Sequence, residues 1–276
     1  MLQEIQPVSV GAATSIAELP RHAEWLIEGQ RDLEIQDPCL PENLDAGNWE
    51  QKANEAKQIL AGYNGRLGIH GPFISLALDA MDPKIREVTT ERLIQALNYG
   101  SLLGATQMVI HSPFLSAGNP FVNFGGALGR QKQIDLIVAT LEPVIKVAEA
   151  NGCILVIENI FDMSANALVQ TAKTFDSETV RLSIDVGHAQ LRAAHRGGTP
   201  PAQWVEETGP YLAHLHLQDT DGEHDRHWAP GDGIISWYSI FDALSKLEQN
   251  PRKLIEVAPQ NVQRGFRYLK ERGLAK

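Results

Sequence analysis

Eight short apolar runs alternate with longer segments of helical periodicity along the whole chain, and this alternation limits the possible folds more than any other feature. The runs fall near 5–11, 32–36, 66–71, 106–111, 153–158, 180–185, 212–217 and 252–257. Helical patterns lie between them, near 15–29, 47–62, 83–103, 130–151, 164–175, 200–208, 236–247 and 259–272. Strand–helix alternation requires parallel strands joined by right-handed crossovers. Eight such units in 276 residues predict an α/β fold, a single (β/α)8 TIM barrel spanning residues 1–276, because barrels of this class run to about 250 residues as one domain. In 83–103, Pro83 opens the helix, Ile85, Val88, Leu93, Leu97 and Leu102 form an inward stripe, and Gly104 stops it. Segment 130–151 follows suit with Ile134, Ile137, Val138, Leu141, Ile145 and Val147 inward and Gly152 beyond its end.

Composition serves mainly to exclude. With 43% hydrophobic and 21% charged residues, the chain is made like a folded domain rather than a disordered or fibrous one. The balance of 34 acidic against 24 basic residues argues against a broad nucleic-acid or anionic-membrane surface, but leaves room for a local basic cleft. Two cysteines, Cys39 in a Pro-rich loop and Cys153 opening an apolar run, are too few for a disulfide framework and fit a reducing cytoplasm. The first residues lack a signal-peptide pattern, and no apolar run nears the ~20 residues of a membrane span. Ile69-His70-Gly71-Pro72-Phe73 recurs as Ile110-His111-Ser112-Pro113-Phe114, which reads as two similar strand ends.

The chemistry-bearing residues fall at those ends. His70 ends strand three, His111 strand four, Glu158 strand five, Asp185 strand six, His216 strand seven and Glu256 strand eight. His188 follows Asp185 by three positions, and Asp225 and His227 sit in the loop after strand seven. In a barrel the carboxyl ends of the strands surround one pocket, where its chemistry is built. Alternation places Glu158 on the inward face with Ile154 and Val156, Asp185 with Ser183 and Arg181, and His216 with His214.

A carboxylate that closes an apolar run needs a cation, a metal or a donor network, because an uncompensated buried charge costs several kcal/mol. For Glu158 and Glu256 the bland alternative is a salt bridge to Arg181 or Arg252, and a lone strand-end histidine is usually just hydrogen-bonded. Six consecutive strand ends carrying ligand types favour a metal site. His214 reads as filling a lower barrel layer, and His22, His195 and His224 as solvated. Trp228 and Trp237 flank the loop after strand seven, as packing or as a wall on which substrate stacks, and Arg226 is that loop's basic residue available to substrate. Carboxylates and imidazoles without thiolate suit Zn, Mn, Co or Mg. Nine candidates (Glu158, Asp185, His216, Glu256, His70, His111, His188, Asp225, His227) exceed what one small cation takes, so one to three ions bind or some of these residues hold substrate.

Taken together, His70-Gly-Pro-Phe, Val-Ile-His111, Val-Ile-Glu158-Asn159, Ser-Ile-Asp185-Val-Gly-His188, His214-Leu-His216, Asp225-Arg226-His227 before Gly231-Asp232-Gly233, and Ile-Glu256-Val resemble the xylose-isomerase-like barrel superfamily over nearly the whole chain. That superfamily holds sugar-phosphate isomerases and epimerases and the endonuclease IV type of DNA repair enzyme. In the epimerase branch the resemblance implies one divalent ion on Glu158, Asp185, His216 and Glu256. The two glutamates then serve as acid and base on opposite faces of a ketose, with His188 on a substrate hydroxyl. In the endonuclease branch all nine positions hold three zinc ions that hydrolyse the phosphodiester 5′ to an abasic site. Three departures favour the sugar branch: the acidic loop 37–45 without arginine, Val10-Gly11-Ala12-Ala13 at the first strand, and Ser-Pro-Phe after His111. The reading is therefore a sugar or sugar-phosphate isomerase or epimerase acting on a small molecule. Abasic-site cleavage, or dehydration or lysis of a polyhydroxy acid, stands as the alternative. Related barrels pair, which implies a homo-oligomer by analogy.

Overall fold

The computed structural model describes residues 5–114 and 126–276. Eight strands, β1 (Gly11–Thr14), β2 (Leu33–Ile35), β3 (Leu67–His70), β4 (Gln107–His111), β5 (Ile154–Glu158), β6 (Val180–Asp185), β7 (Leu212–Leu217) and β8 (Arg252–Ile255), pair in sequence order and close on one another. Every pairing is parallel, including β1 with β8. Around them run α1 (Leu19–Gly29), α2 (Pro41–Asp45), α3 (Trp49–Ile59), α4 (Pro83–Leu103), α5 (Gly126–Ala150), α6 (Asn166–Phe175), α7 (Val186–Arg196), α8 (Pro201–Thr208), α9 (Trp237–Ser245) and α10 (Val262–Glu271). The fold is the (β/α)8 barrel that the alternation predicts. No helix among the described residues is long and apolar enough to cross a membrane.

Four expectations need correction. The first strand lies at Gly11–Thr14, not 5–11, and earlier in the chain Val8 makes only an isolated bridge to Ala275. Packing decides this: a Cβ on Gly11 would stand 1.6 Å from the Asp32 carbonyl oxygen, so β1 meets β2 where its side chains are smallest. Ile85 and Val88 are about half exposed, because the buried face of α4 begins only at Thr89 and Leu93. His22 is buried, not solvated, and packs edge-on to Trp25 with both ring nitrogens unpartnered.

The fourth correction is α7, where the residues after Asp185 read as loop. Asp185 ends β6 and caps α7 at once, its side chain accepting from the His188 amide at 2.7 Å. Gly187 permits that abrupt turn, since a Cβ there would meet the Gln218 amide at 2.2 Å.

The loop carrying Asp225, His227 and Trp228 is pinned from beneath by Asp219, which is fully buried. Its carboxylate accepts from the amides of Thr220 at 3.0 Å, Ile235 at 3.1 Å and Gly231 at 2.9 Å, and from the Trp237 indole at 3.0 Å. The Asp219 backbone also pairs in both directions with that of Trp228. Trp237 is thus a buried packing residue. Asp219→Ala should strand these donors and lower stability by about 3 kcal/mol, read from urea denaturation. A loss under about 1 kcal/mol would show that the loop is pinned elsewhere.

Candidate metal centre and active site

Register assembles the site. Pairing β4 with β5 sets His111 beside Glu158, and pairing β6 with β7 sets Asp185 beside His216. Glu256 follows β8 directly, and its amide donates to Leu217 at 3.3 Å. Asn159 tightens the β5–β6 corner: its side chain accepts from the Asp185 amide at 2.8 Å and donates to the Asp185 carbonyl at 3.1 Å.

His216 is the centre. Its Nδ1 lies 2.5 Å from Glu158 Oε1 and 3.3 Å from Glu256 Oε2, and its Nε2 lies 3.0 Å from Glu34 Oε1. Burial opposes charge on this ring, yet Glu256, Glu158 and Glu34 together hold its pKa well above the ordinary value. Glu158 shows the converse: burial disfavours its charge, while His216, His70 and His111 keep it well below the carboxylate range. Gln36 steadies Glu256, donating to Oε1 at 2.6 Å.

Two further groups flank the centre. His70 and His111 approach Glu158 Oε2 at 3.8 and 3.5 Å and stand 3.3 Å from each other. Burial and the neighbouring His70 push His111 down to about 3. The Phe73 ring covers His111, with centroids 4.1 Å apart. On the other side Asp225 bridges His188 at 3.2 Å and His227 at 3.4 Å, while His227 Nδ1 donates to the Glu256 carbonyl at 3.0 Å. Burial works against charge on both of these histidines. Even so, Asp185 and Asp225 lift His188 to about 10, and Asp225 and Glu256 lift His227 to about 9.

Among the buried side-chain atoms described around the site, Asp185 Oδ2, Gln218 Oε1 and His214 Nε2 have no hydrogen-bond partner, and of these Asp185 Oδ2 is the carboxylate oxygen. Asp185 Oδ2 is buried without a hydrogen bond, although Oδ1 accepts from His188 N and from Gln218 at 3.1 Å. Burial pushes this carboxyl up to about 6. An orphaned carboxylate oxygen facing a cluster of hard donors fits a divalent cation. Glu158, Asp185 and His216 each offer a ligand atom within 4.8 Å of the others, and Glu256 shares the same imidazole nitrogen with Glu158. Exposure divides the labour. The side chains of Glu158, Asp185 and His216 are at most 2% exposed, whereas Glu256, His111 and His227 keep 15%, 24% and 37%. The first three lie deepest in the site, and the second three form its more open side.

All nine ligand-type residues read from the sequence thus converge. Arg226 and Trp228 stand apart from them: Arg226 pairs with Asp221 at 2.7 Å and lies over the Trp228 ring, 5.5 Å from its centroid. The salt-bridge alternative for Glu158 and Glu256 does not hold. Arg181 and Arg252 begin their strands at the opposite end of the barrel, where Arg181 pairs with Glu178 and Arg252 donates to Thr106. His214 fills a lower layer as expected, its Nδ1 at 2.8 Å from Ser183 Oγ. Sequence reasoning missed Glu34, Gln36, Asn159 and Gln218. For Glu34 the signal was present, a carboxylate between Leu33 and Ile35 in an apolar run, as at Glu158. Of the three amides, which carry no titratable group, Asn159 entered only as a neighbour of Glu158 in a motif, and Gln36 and Gln218 drew no notice.

The fold recurs in solved proteins. The TTHB071 protein of Thermus thermophilus, from a ZnCl2 soak, is 23% identical with a TM-score of 0.73, over 96% of this chain and 97% of that one. A D-tagatose 3-epimerase-like protein is 21% identical with a TM-score of 0.74, over 96% of each chain. The uncharacterized protein MJ1311 of Methanocaldococcus jannaschii is 23% identical over 194 residues, 67% of this chain, and the match spans 62% of that relative's length. The profile of the xylose isomerase-like TIM barrel family matches residues 33–272, and the chain belongs to that family.

Proposed function

We propose that the chain is a divalent-metal-dependent isomerase or epimerase of a sugar or sugar phosphate, with Glu158 and Glu256 as the proton-transferring pair. The observation that carries this reading is their convergence on one nitrogen of His216, beside the unpartnered Oδ2 of Asp185. Glu158, Asp185, His216 and Glu256 would hold the ion, whether Zn, Mn, Co or Mg. When bound, a divalent cation stabilises the negative charge that grows on substrate oxygens as a carbon-bound proton leaves.

The remaining work falls to the chain. One glutamate removes the proton α to the carbonyl and the other returns it. Return from the opposite face inverts the carbon; return at the neighbouring carbon exchanges ketose and aldose. The Gln36 amide holds Glu256 in line, and His188, set against Asp185 and Asp225, holds a substrate hydroxyl. Trp228, 37% exposed and backed by Arg226, forms an outer wall. The shared fold of a D-tagatose 3-epimerase-like protein supports a ketose as substrate.

A second reading, a three-zinc phosphodiesterase acting at abasic DNA sites, is favoured by the His70–His111–Glu158 and His188–Asp225–His227 groups. Against it, the stretch 37–45 carries Asp37, Glu42 and Asp45 and no basic residue to meet phosphate.

Two measurements test these readings. In D2O with Mn2+, a panel of ketoses and their phosphates should take up deuterium at the carbon beside the carbonyl. Glu158→Gln and Glu256→Gln should each slow that exchange about 10²- to 10⁴-fold, and full activity in either variant would remove that residue from the mechanism. Elemental analysis of protein purified without chelator or nickel should give about one exchangeable ion per chain, unchanged by Asp225→Ala with His227→Ala. About three zinc ions, with about one lost in the double variant, would transfer the chain to the hydrolytic reading.

A further inference from the structure

Glu34 is a buried carboxylate that the proposed proton transfer does not use. It lies on β2, 2% exposed, between the apolar Leu33 and Ile35. Its two oxygens divide between the two histidines of β7: Oε1 is 3.0 Å from His216 Nε2, and Oε2 is 3.2 Å from His214 Nε2, the latter off hydrogen-bond alignment. Ser183 Oγ, 2.8 Å from His214 Nδ1, closes the chain. Ser183, His214, Glu34 and His216 are thus linked through the barrel interior, and all four are buried.

We infer that Glu34 is a positioning residue for the metal centre: it fixes the proton of His216 on Nε2 and so turns the Nδ1 lone pair toward the ion. This rests on the metal-dependent reading above. An ionised carboxylate only accepts hydrogen bonds, so the nitrogen facing it must carry the proton. In neutral imidazole the other nitrogen is then free to ligate. That other nitrogen, Nδ1, faces Glu158 and Glu256 and so carries a proton when no ion is bound; an ion held by the two glutamates would take the place of that proton, while Glu34 keeps the one on Nε2. A carboxylate behind a ligating imidazole also raises its basicity. His214, itself held by Ser183, stands 3.2 Å from the second oxygen and limits the room the carboxylate has to turn away from His216. His70 and His111, the other imidazoles beside Glu158, reach it through Nε2 and have no carboxylate behind them in the contacts described, which singles out His216.

The test is titration of the intact protein with Mn2+ alone and Zn2+ alone by calorimetry, alongside 15N NMR of the His216 ring in the zinc-loaded protein. Glu34→Gln, which keeps one acceptor oxygen and the side-chain shape, should weaken metal binding about 10-fold. Glu34→Leu, which keeps none, should weaken it toward about 100-fold. In the wild type the His216 Nε2–H should be a slowly exchanging, strongly hydrogen-bonded proton, and it should lose that character in both variants. A purely structural role would lower the melting temperature and leave the folded protein's affinity and His216 signal unmoved. Equal affinity in wild type and in a folded Glu34→Gln protein therefore overturns the role of Glu34 while leaving the metal reading intact. A wild type that binds neither ion overturns both.

Discussion

The charge balance around His216 governs the interior of this barrel. Four carboxylates, Glu34, Glu158, Asp185 and Glu256, lie at or near one imidazole, and three of them are at most 2% exposed. Such a concentration of negative charge is unfavourable in a low-dielectric interior unless positive charge or donors accompany it. The structure supplies them in order: imidazoles at the strand ends, the amides of Gln218 and Gln36, and the backbone N–H at the start of α7. Asp185 Oδ2 is left over, buried without a hydrogen bond, and the proposed cation would meet it.

The barrel and the convergence of its strand-end carboxylates and imidazoles were legible because both depend on the same property, the inward face of strands. A charged residue ending an apolar run is costly wherever the fold puts it, so Glu158, Asp185 and Glu256 stand out without coordinates. What stayed hidden depends on contacts that no periodicity encodes. The placement of β1 follows from how closely Gly11 lets two backbones approach. The helix after Asp185 begins with Val-Gly-His, which is poor in helix formers, and exists because Asp185 caps it and Gln218 fills the space that Gly187 leaves. His22 looked solvated on a polar helix, yet it shares a face of α1 with Trp25 and is buried.

The same limit explains the amides. Gln36 and Gln218 act by geometry rather than by charge, each donating to a carboxylate that also serves the site. Gln218 also reaches Asp225 at 2.9 Å, coupling the end of β7 to the loop that follows it. Rigidity at the mouth therefore begins one layer down, in neutral side chains and in Asp219, whose four bonds fix the turn before any charged residue is placed.

Glu158, Asp185, His216 and Glu256 all come from the second half of the chain, whereas Glu34, Gln36, His70 and His111 come from the first. The later strands carry the four residues proposed to hold the ion, and the earlier strands carry the groups that flank them. Divergence is thereby unevenly permitted. The described residues after β3 meet the site at its rim, where Phe73 covers His111, and stand one contact removed from those four. The junction of β6 with α7 has no such freedom, because a single residue serves there as strand end, helix cap and donor.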